Sequence, residues 1–314
     1  MFQDRFERLA ANVEQLIQGK PGEIRRALVC LLAEGHLLID DIPGVGKTSL
    51  ARAISNSING TMYRIQFTPD LLPTDVTGVH IYNSGERRFE FHTGPVFANI
   101  VLADEINRAS PKTQAALLEV MEEQQVTADG RRFAVPRPFM VMATQNPIEL
   151  DGTYHLPEAQ IDRFMMRMSL GYPSHEAQVN LLDLRLRGMS VDAISPVLDL
   201  VEVQEMITVA RSVHVARNLL EYISTLITHT RTMPQLRLGV SPRGGLALAR
   251  ACQSLAAASG REFAVADDVK MLAGAVLGHR MLLSPDAELE GVTADQLINA
   301  ALAVVPVPQA RYTP

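Results

Sequence analysis

His36-Leu37-Leu38-Ile39-Asp40-Asp41-Ile42-Pro43-Gly44-Val45-Gly46-Lys47-Thr48-Ser49 runs from an apolar segment, through a turn with two glycines, into a helical pattern. A strand, a glycine loop and a helix in this order predict a phosphate-binding loop. The glycines allow the backbone N–H groups to approach phosphate oxygens, and the helix N-terminus adds the positive end of its dipole. We expect Lys47 to bind the β- and γ-phosphates of ATP, and Thr48 to offer its hydroxyl to Mg²⁺. The predicted nucleotide contacts are Asp41, Ile42, Pro43, Gly44, Val45, Gly46, Lys47, Thr48 and Ser49.

One position of the loop departs from the usual pattern. Asp41 stands where the motif has its first glycine. The Gly-x-Gly-Lys-Thr core is intact, and this core meets most of the physical demands of phosphate binding. The alternative, a chance glycine turn before a helix, does not account for the order of strand, loop and helix.

Polar side chains end two further apolar segments. Asp104 and Glu105 follow the segment Asn99–Ala103, at a position where open α/β sheets bind ligands. We expect Asp104 to hold Mg²⁺, through water, and Glu105 to polarise the attacking water. Asn146 follows the next segment and could bond the γ-phosphate or the water, although an Asn before Pro147 is also a common turn residue.

The pattern of apolar residues predicts an α/β sandwich around a mostly parallel sheet, followed by helices. No strand is expected after Gly171-Tyr172-Pro173. We place the first domain at residues 1–172, a connector at 173–200 and a helical domain at 201–314.

Two hairpins are expected, at about 76–96 and 125–138; the alternative is that both are surface loops without a function. The predicted strands are His36–Asp40, Met62–Phe67, Asn99–Asp104, Phe139–Thr144 and Phe164–Leu170. The predicted helices are Lys47–Ile58, Pro111–Glu123, Val201–Ser212, Arg217–Arg231, Pro242–Ala258 and Ala266–Met281.

Composition narrows the class of protein. The chain has 314 residues and a formal net charge of −6, which argues against a protein that coats nucleic acid. Its two cysteines, Cys30 and Cys252, are expected to be buried thiols in a reducing compartment. We find no signal-peptide core and no apolar stretch near the ~20 residues that a membrane span needs, so we expect a cytoplasmic protein.

Several long strings of residues show that the chain resembles the MoxR family of AAA+ ATPases. The resemblance extends from about residue 19 to residue 173, and more loosely through the helical part. The strings are Ile65-Gln66-Phe67-Thr68-Pro69-Asp70-Leu71-Leu72-Pro73, Gly94-Pro95-Val96-Phe97, Ala103-Asp104-Glu105-Ile106-Asn107-Arg108-Ala109, Ala143-Thr144-Gln145-Asn146-Pro147, and Leu156-Pro157-Glu158-Ala159-Gln160-Ile161-Asp162-Arg163-Phe164.

The resemblance implies a role for each matching residue. The glycine loop looks like Walker A, and Asp104 with Glu105 looks like Walker B. Asn146 looks like sensor 1, and Arg163 like an arginine finger that reaches a neighbour's γ-phosphate. Arg243, in Ser241-Pro242-Arg243-Gly244, looks like the sensor 2 residue that ties the helical lid to nucleotide. The hairpins look like the helix-2 insert and the pre-sensor-1 hairpin.

The resemblance also implies an assembly and a task. It suggests an AAA+ P-loop fold with a helical lid, a hexameric ring, and ATP hydrolysis to ADP coupled to chaperone-like remodelling of a protein client. The client could contain a von Willebrand factor A domain. Two alternatives remain at this stage: a motor acting on nucleic acid or on a metal-chelatase complex, and a scaffold that binds ATP without turnover.

Overall fold

A five-stranded parallel sheet forms the centre of the first part of the chain. The computed structural model describes residues 1–146, 154, 156–186 and 194–308. The strands are β1 (Leu37–Asp40), β2 (Met62–Gln66), β5 (Ile100–Asp104), β8 (Met140–Gln145) and β9 (Met166–Met168). Their order across the sheet is β2-β5-β8-β1-β9, and every pairing is parallel. The strand that precedes the glycine loop therefore lies next to the edge strand β9, with β8 between it and β5.

Successive residues of the central strands pack on opposite faces of the sheet. Leu37 and Ile39 belong to one hydrophobic cluster, whereas Leu38 between them belongs to the other. The same alternation places Leu102 in the first cluster and Val101 in the second. Since side chains in a strand alternate between faces, both faces of this sheet are covered, and the predicted sandwich is confirmed.

Six α-helices lie in the described residues of the first part of the chain. Ser110 caps α5 (Pro111–Glu123) by accepting a hydrogen bond from the Thr113 N–H, and Pro111 occupies the first turn, as the pair Ser110-Pro111 in the sequence predicts. The two helices that precede the sheet were not predicted, and neither were the short helices Pro73–Thr77 and Glu158–Ile161. The helices are α1 (Phe2–Glu14), α2 (Pro21–Leu32), α3 (Lys47–Ser57), α4 (Pro73–Thr77), α5 (Pro111–Glu123) and α6 (Glu158–Ile161).

Both predicted hairpins are present. The first pairs β3 (Gly78–Asn83) with β4 (Arg88–Thr93), and the second pairs β6 (Gln125–Ala128) with β7 (Arg131–Ala134). The rings of Phe91 and Phe133 stack at a centroid distance of 4.2 Å. This aromatic contact joins the two hairpins into one unit.

The second part of the chain is mainly helical. The expectation of no strand after Gly171-Tyr172-Pro173 is wrong, because a short antiparallel pair joins β10 (Leu236–Leu238) to β11 (Leu282–Leu283). The helices Pro285–Leu289 and Ala294–Val304 were not predicted either. The connector contains helix α7 (His175–Leu186), and residues 187–193 and 309–314 of the predicted regions lie outside the described residues. The domain boundaries stay a prediction. The remaining helices are α8 (Leu200–Ser212), α9 (Arg217–Thr230), α10 (Pro242–Ala258), α11 (Ala266–Leu277), α12 (Pro285–Leu289) and α13 (Ala294–Val304).

The two parts of the chain share one core. Helix α10 packs against α1 and α2, and the Ser254 hydroxyl donates a hydrogen bond of 3.0 Å to the Val29 carbonyl. The hydrophobic cluster on this side of the sheet continues into the second part of the chain. None of the described helices combines the length and the apolar character that crossing a bilayer requires.

His36 is a buried, neutral histidine at the start of β1. Its Nδ1 accepts a hydrogen bond of 3.0 Å from the Val141 N–H, which leaves Nε2 to donate to the Met121 carbonyl at 3.0 Å. Burial lowers the pKa of His36 to about 4, and the hydrogen bond to Met121 only partly opposes this effect. The histidine therefore links β1, β8 and the end of α5 only in its neutral form.

The low pKa of His36 predicts a loss of stability in mild acid. Between pH 6.5 and 4 the unfolded chain binds a proton that the folded chain excludes, so stability falls as pH falls through this range. We expect His36 alone to lower the free energy of unfolding by about 1–2 kcal/mol between pH 7 and pH 5. Urea unfolding at the two pH values measures this change. The His36→Gln variant should be less stable at pH 7 and lose less on acidification, whereas exposed His92→Gln should behave as the parent. An undiminished loss in His36→Gln would contradict the assignment.

Candidate phosphate-binding site

The glycine loop leaves the first turn of α3 without a side-chain cap. Gly44 and Gly46 have φ of 85° and 100°, in the left-handed region that favours glycine. A Cβ at either position would meet no atom within 4 Å, so the space beside both glycines is open. Gly46 is the N-cap and supplies no side-chain acceptor to the first N–H groups of the helix. A helix start of this kind attracts an anion.

Lys47 lies against the same loop. Its ammonium group donates hydrogen bonds to the carbonyl oxygens of Asp41 at 2.7 Å and Ile42 at 3.1 Å. These bonds fold the Lys47 side chain back over the glycine loop. The cation is therefore already placed beside the open space at the helix N-terminus.

Asp41 explains the departure from the usual loop pattern. The residue is only 5% exposed, and its Oδ1 accepts a hydrogen bond of 2.9 Å from the Ile42 N–H. Its Oδ2 accepts from the Ser169 hydroxyl at 3.1 Å and from the N–H groups of Leu170 and Gly171, both at 2.7 Å. The carboxylate thus fastens the base of the loop to the segment that follows β9. Its side chain faces this segment, and its backbone carbonyl faces Lys47.

Asp104 lies at the carboxyl end of β5, where the sequence placed it. Its Oδ1 accepts a hydrogen bond of 2.6 Å from the Thr144 hydroxyl on the neighbouring strand β8. Its Oδ2 pairs with the Arg64 guanidinium on the other neighbouring strand, with Nη2 at 2.6 Å. A cation held by Asp104 would share this carboxylate with Arg64.

Glu105 has an unusual backbone conformation, with φ of 56°. A non-glycine residue in this region is strained, and such strain concentrates at functional sites. Its N–H donates to the Thr144 hydroxyl at 2.9 Å. Its Oε2 accepts from Gln66 Nε2 at 2.7 Å and from Arg108 Nη1 at 3.0 Å. The carboxylate is therefore held to the side, towards the edge strand β2.

Asn146 directly follows β8 and is 7% exposed. Because β8 lies between β5 and β1, parallel alignment brings this residue between the glycine loop and the acidic pair. Pro147, which follows it, lies outside the described residues. The loop, the acids and Asn146 thus gather at one edge of the sheet, as the sequence predicted.

Arg163 and Arg243 lie at the opposite edge of the sheet, where the amino-terminal ends of the strands meet. Arg163 Nη1 donates to the Leu118 carbonyl at 2.7 Å and is 2.8 Å from Glu122, near the end of α5. Arg243 Nη1 bonds the same Glu122 at 3.2 Å. This end of α5 borders His36, which precedes β1, and strand β8 alone spans roughly 16 Å at 3.3 Å per residue. The structure therefore brings the two arginines together and keeps both away from Lys47 of the same chain.

The residues at the first edge fit a bound triphosphate and a divalent cation. The open glycine loop, the uncapped helix start and Lys47 offer an anion several donors. Thr48 directly follows Lys47 in the first turn of α3, and Asp104 supplies a carboxylate from β5. Hydroxyl and carboxylate oxygens are ligands that Mg²⁺ accepts.

Sequence reasoning missed several residues of the site. Arg64 and Gln66 alternate with the buried Ile65, which is a signal that they share one face of β2. Connecting them with the acids required knowledge that β2 pairs with β5, and this pairing is not visible in the local sequence. Thr144 is a polar residue at the end of an apolar strand, and this pattern could have identified it.

Two known families match this chain. The family described as "ATPase family associated with various cellular activities (AAA)" matches residues 36–166, and the family described as "AAA lid domain" matches residues 228–301. The first match contains the glycine loop, the acidic pair, Asn146 and Arg163. The second match contains Arg243.

Similar proteins cover nearly the whole chain. "Uncharacterized protein YeaC" of Bacillus subtilis is 46% identical over 96% of this chain and 94% of its own length. "Chaperone MoxR1" of Mycobacterium tuberculosis is 41% identical over 98% of this chain and 84% of its own. The crystal structure of a candidate ATPase from Cytophaga hutchinsonii has a TM-score of 0.91 at 34% identity, covering 98% of this chain and 96% of that one.

The bonds of Asp41 predict a structural cost for its replacement. In Asp41→Asn the amide retains one acceptor oxygen, so either the Ile42 N–H or the donors of Ser169, Leu170 and Gly171 face an NH₂ group and lose their partner. We expect the free energy of unfolding to fall by about 2–3 kcal/mol, since hydrogen bonds to charged groups contribute about 1.5–3 kcal/mol. Urea unfolding measures the change. The matched control Asp70→Asn, at an exposed aspartate, should stay within about 0.5 kcal/mol of the parent. Equal stability of the two variants would show that the Asp41 bonds are dispensable.

Proposed function

The chain belongs to the MoxR family of AAA+ ATPases, and we propose that it hydrolyses ATP at a site completed by a second copy of itself. The observation that carries this proposal is the separation of the charged groups. The phosphate loop and the acids lie at the carboxyl edge of the sheet, and Arg163 with Arg243 lies at the other edge. A phosphate held at Lys47 can meet these arginines only if they come from a neighbour.

Each residue at the first edge has a task in this proposal. The N–H groups of the glycine loop and Lys47 bind the phosphates of ATP, and Thr48 with Asp104 holds Mg²⁺. The ion neutralises phosphate charge when it is bound. Asn146 lies where it can orient the γ-phosphate or the attacking water.

Glu105 must turn before it can act on water. Its Oε2 is engaged by Gln66 and Arg108, so the carboxylate faces away from the loop in this arrangement. Exchange of these two partners for a water beside the γ-phosphate would place a proton acceptor at the reacting group. The strained backbone at Glu105 is consistent with a side chain that changes position during turnover, since such strain concentrates in switch regions.

Arg163 and Arg243 act from the neighbouring copy. A finger arginine stabilises the charge of the transition state and can contribute ~10³–10⁵ in rate. Activity therefore requires assembly, and the family suggests a hexameric ring. In such a ring every protomer both receives arginines and supplies them.

We further propose that turnover drives chaperone-like remodelling of a protein client, and that the client contains a von Willebrand factor A domain. The name of the mycobacterial relative, "Chaperone MoxR1", supports the first part for that protein. The first hairpin supports it here, because Ile81, Tyr82 and Phe89 expose between 49% and 69% of their surface. Exposed apolar side chains that cluster on a surface are typical of contacts with another protein.

Two substitutions separate nucleotide binding from turnover. Glu105→Gln should bind ATP with the affinity of the parent but turn over at least ~10²-fold more slowly, since it has lost its proton acceptor. Arg163→Ala should also bind ATP, and should lose roughly 10³-fold in turnover. Equilibrium binding of a fluorescent ATP analogue and phosphate release at several protein concentrations measure both effects.

The control is Arg217→Ala, which removes an arginine from the exposed surface of α9 and should leave both quantities unchanged. Parent turnover should rise with protein concentration more steeply than in direct proportion. If the parent and Glu105→Gln are equally inactive at every concentration, the chain is a scaffold that binds ATP without turnover. Full turnover by Arg163→Ala would refute a shared site.

A further inference from the structure

One carboxylate lies between the two arginines of the second edge. Glu122 Oε2 is 2.8 Å from Arg163, and its Oε1 is 3.2 Å from Arg243. The arginines come from different parts of the chain, one after α6 and the other from the first turn of α10. Glu122 thus bridges the sheet domain and the helical part with one charged group.

The segments that carry the arginines are also fastened to each other. Asp162, which precedes Arg163, pairs with Arg280 and accepts a hydrogen bond of 3.2 Å from Ser241, the N-cap of α10. The Arg280 guanidinium also donates to the Phe164 carbonyl at 2.7 Å. The backbones on both sides are therefore anchored. The side chains of Arg163 and Arg243 both pair with Glu122, and Arg163 also bonds the Leu118 carbonyl.

Each arginine contacts Glu122 through a single nitrogen. The closest approach uses Nη1 in both cases, and within the described part of the chain neither Nε nor Nη2 of either residue makes a hydrogen bond. Arg163 is 30% exposed and Arg243 is 45% exposed, and both line a cavity of about 320 Å³. The pair therefore keeps donors for an anion that enters from outside.

We propose that Glu122 is a positioning residue that holds Arg163 and Arg243 as a pair, so that both reach the same phosphate group of a neighbouring copy. This inference rests on the shared ATP site proposed above. Two guanidinium groups repel each other, and the carboxylate between them offsets this repulsion while leaving one net positive charge for the phosphate. Pairing one carboxylate oxygen with each arginine also sets the spacing of the remaining N–H donors.

This arrangement predicts that loss of the Glu122 charge lowers kcat without raising KM for ATP. Glu122→Gln removes the charge that aligns the arginines, and kcat should fall roughly 10- to 100-fold, since misplacement by 1 Å can cost ~10²-fold. KM for ATP should not rise, because the substitution makes the arginine face more positive. The measurement is steady-state phosphate release by the full chain at concentrations where the parent is fully assembled.

A matched control is available on the next residue. Glu123 is also exposed at the end of α5, and Glu123→Gln should retain parental kcat and KM. In the Arg163→Ala/Arg243→Ala background, Glu122→Gln should change single-turnover rates by less than about twofold, since a residue that acts only through the arginines has no effect without them. Thermal unfolding of each variant reports any general loss of folding.

The outcomes distinguish this inference from the proposed function. If Arg163→Ala is inactive but Glu122→Gln behaves like Glu123→Gln, the shared site stands and the positioning role fails. A rise in KM without a fall in kcat, or an undiminished effect in the arginine-free background, also overturns the positioning role. If Arg163→Ala remains fully active, the shared site itself fails.

Discussion

The common direction of five parallel strands is the constraint on which the site depends. Segments that follow a strand collect at one edge of the sheet, and segments that precede a strand collect at the other. Lys47 and Asp104 belong to the first kind, whereas Arg163 precedes β9 and belongs to the second. In the proposed site, a single chain carries both charged halves but cannot close them on each other. One edge carries the phosphate loop and the acids, and the other carries the arginines. This arrangement favours head-to-tail contact between copies.

Hydrogen bonds to backbone groups tie these edges to the helical part of the chain. At the first edge, Asp41 fastens the phosphate loop to Leu170 and Gly171, just before the chain leaves the sheet domain. At the second edge, Arg280 and His279 both bond the Phe164 carbonyl beside Arg163. A displacement of the helical part would therefore move the phosphate loop and the arginines. This gives nucleotide state and domain position a physical route to influence each other.

Local chemistry made much of the fold predictable from sequence. The glycine loop, the acids after an apolar strand and the Ser110 cap each depend on neighbours in the chain, and the structure has them where the pattern placed them. What the sequence did not disclose depends on contacts between distant segments. Glu122 has no local feature that separates it from Glu123, and only the fold brings it to the two arginines. The β10–β11 pair was missed for a similar reason, since strands of three and two residues are too short for a period to emerge.

Mixing two inactive variants tests the shared site most directly. Lys47→Ala keeps both arginines but lacks the ammonium group that binds phosphate. Arg163→Ala keeps the phosphate loop but lacks the finger guanidinium. If the site forms between copies, an equimolar mixture at assembling concentrations should recover ATP turnover that neither variant shows alone, because some interfaces then join an intact loop to an intact arginine. A mixture that assembles but stays as inactive as its components would contradict the account.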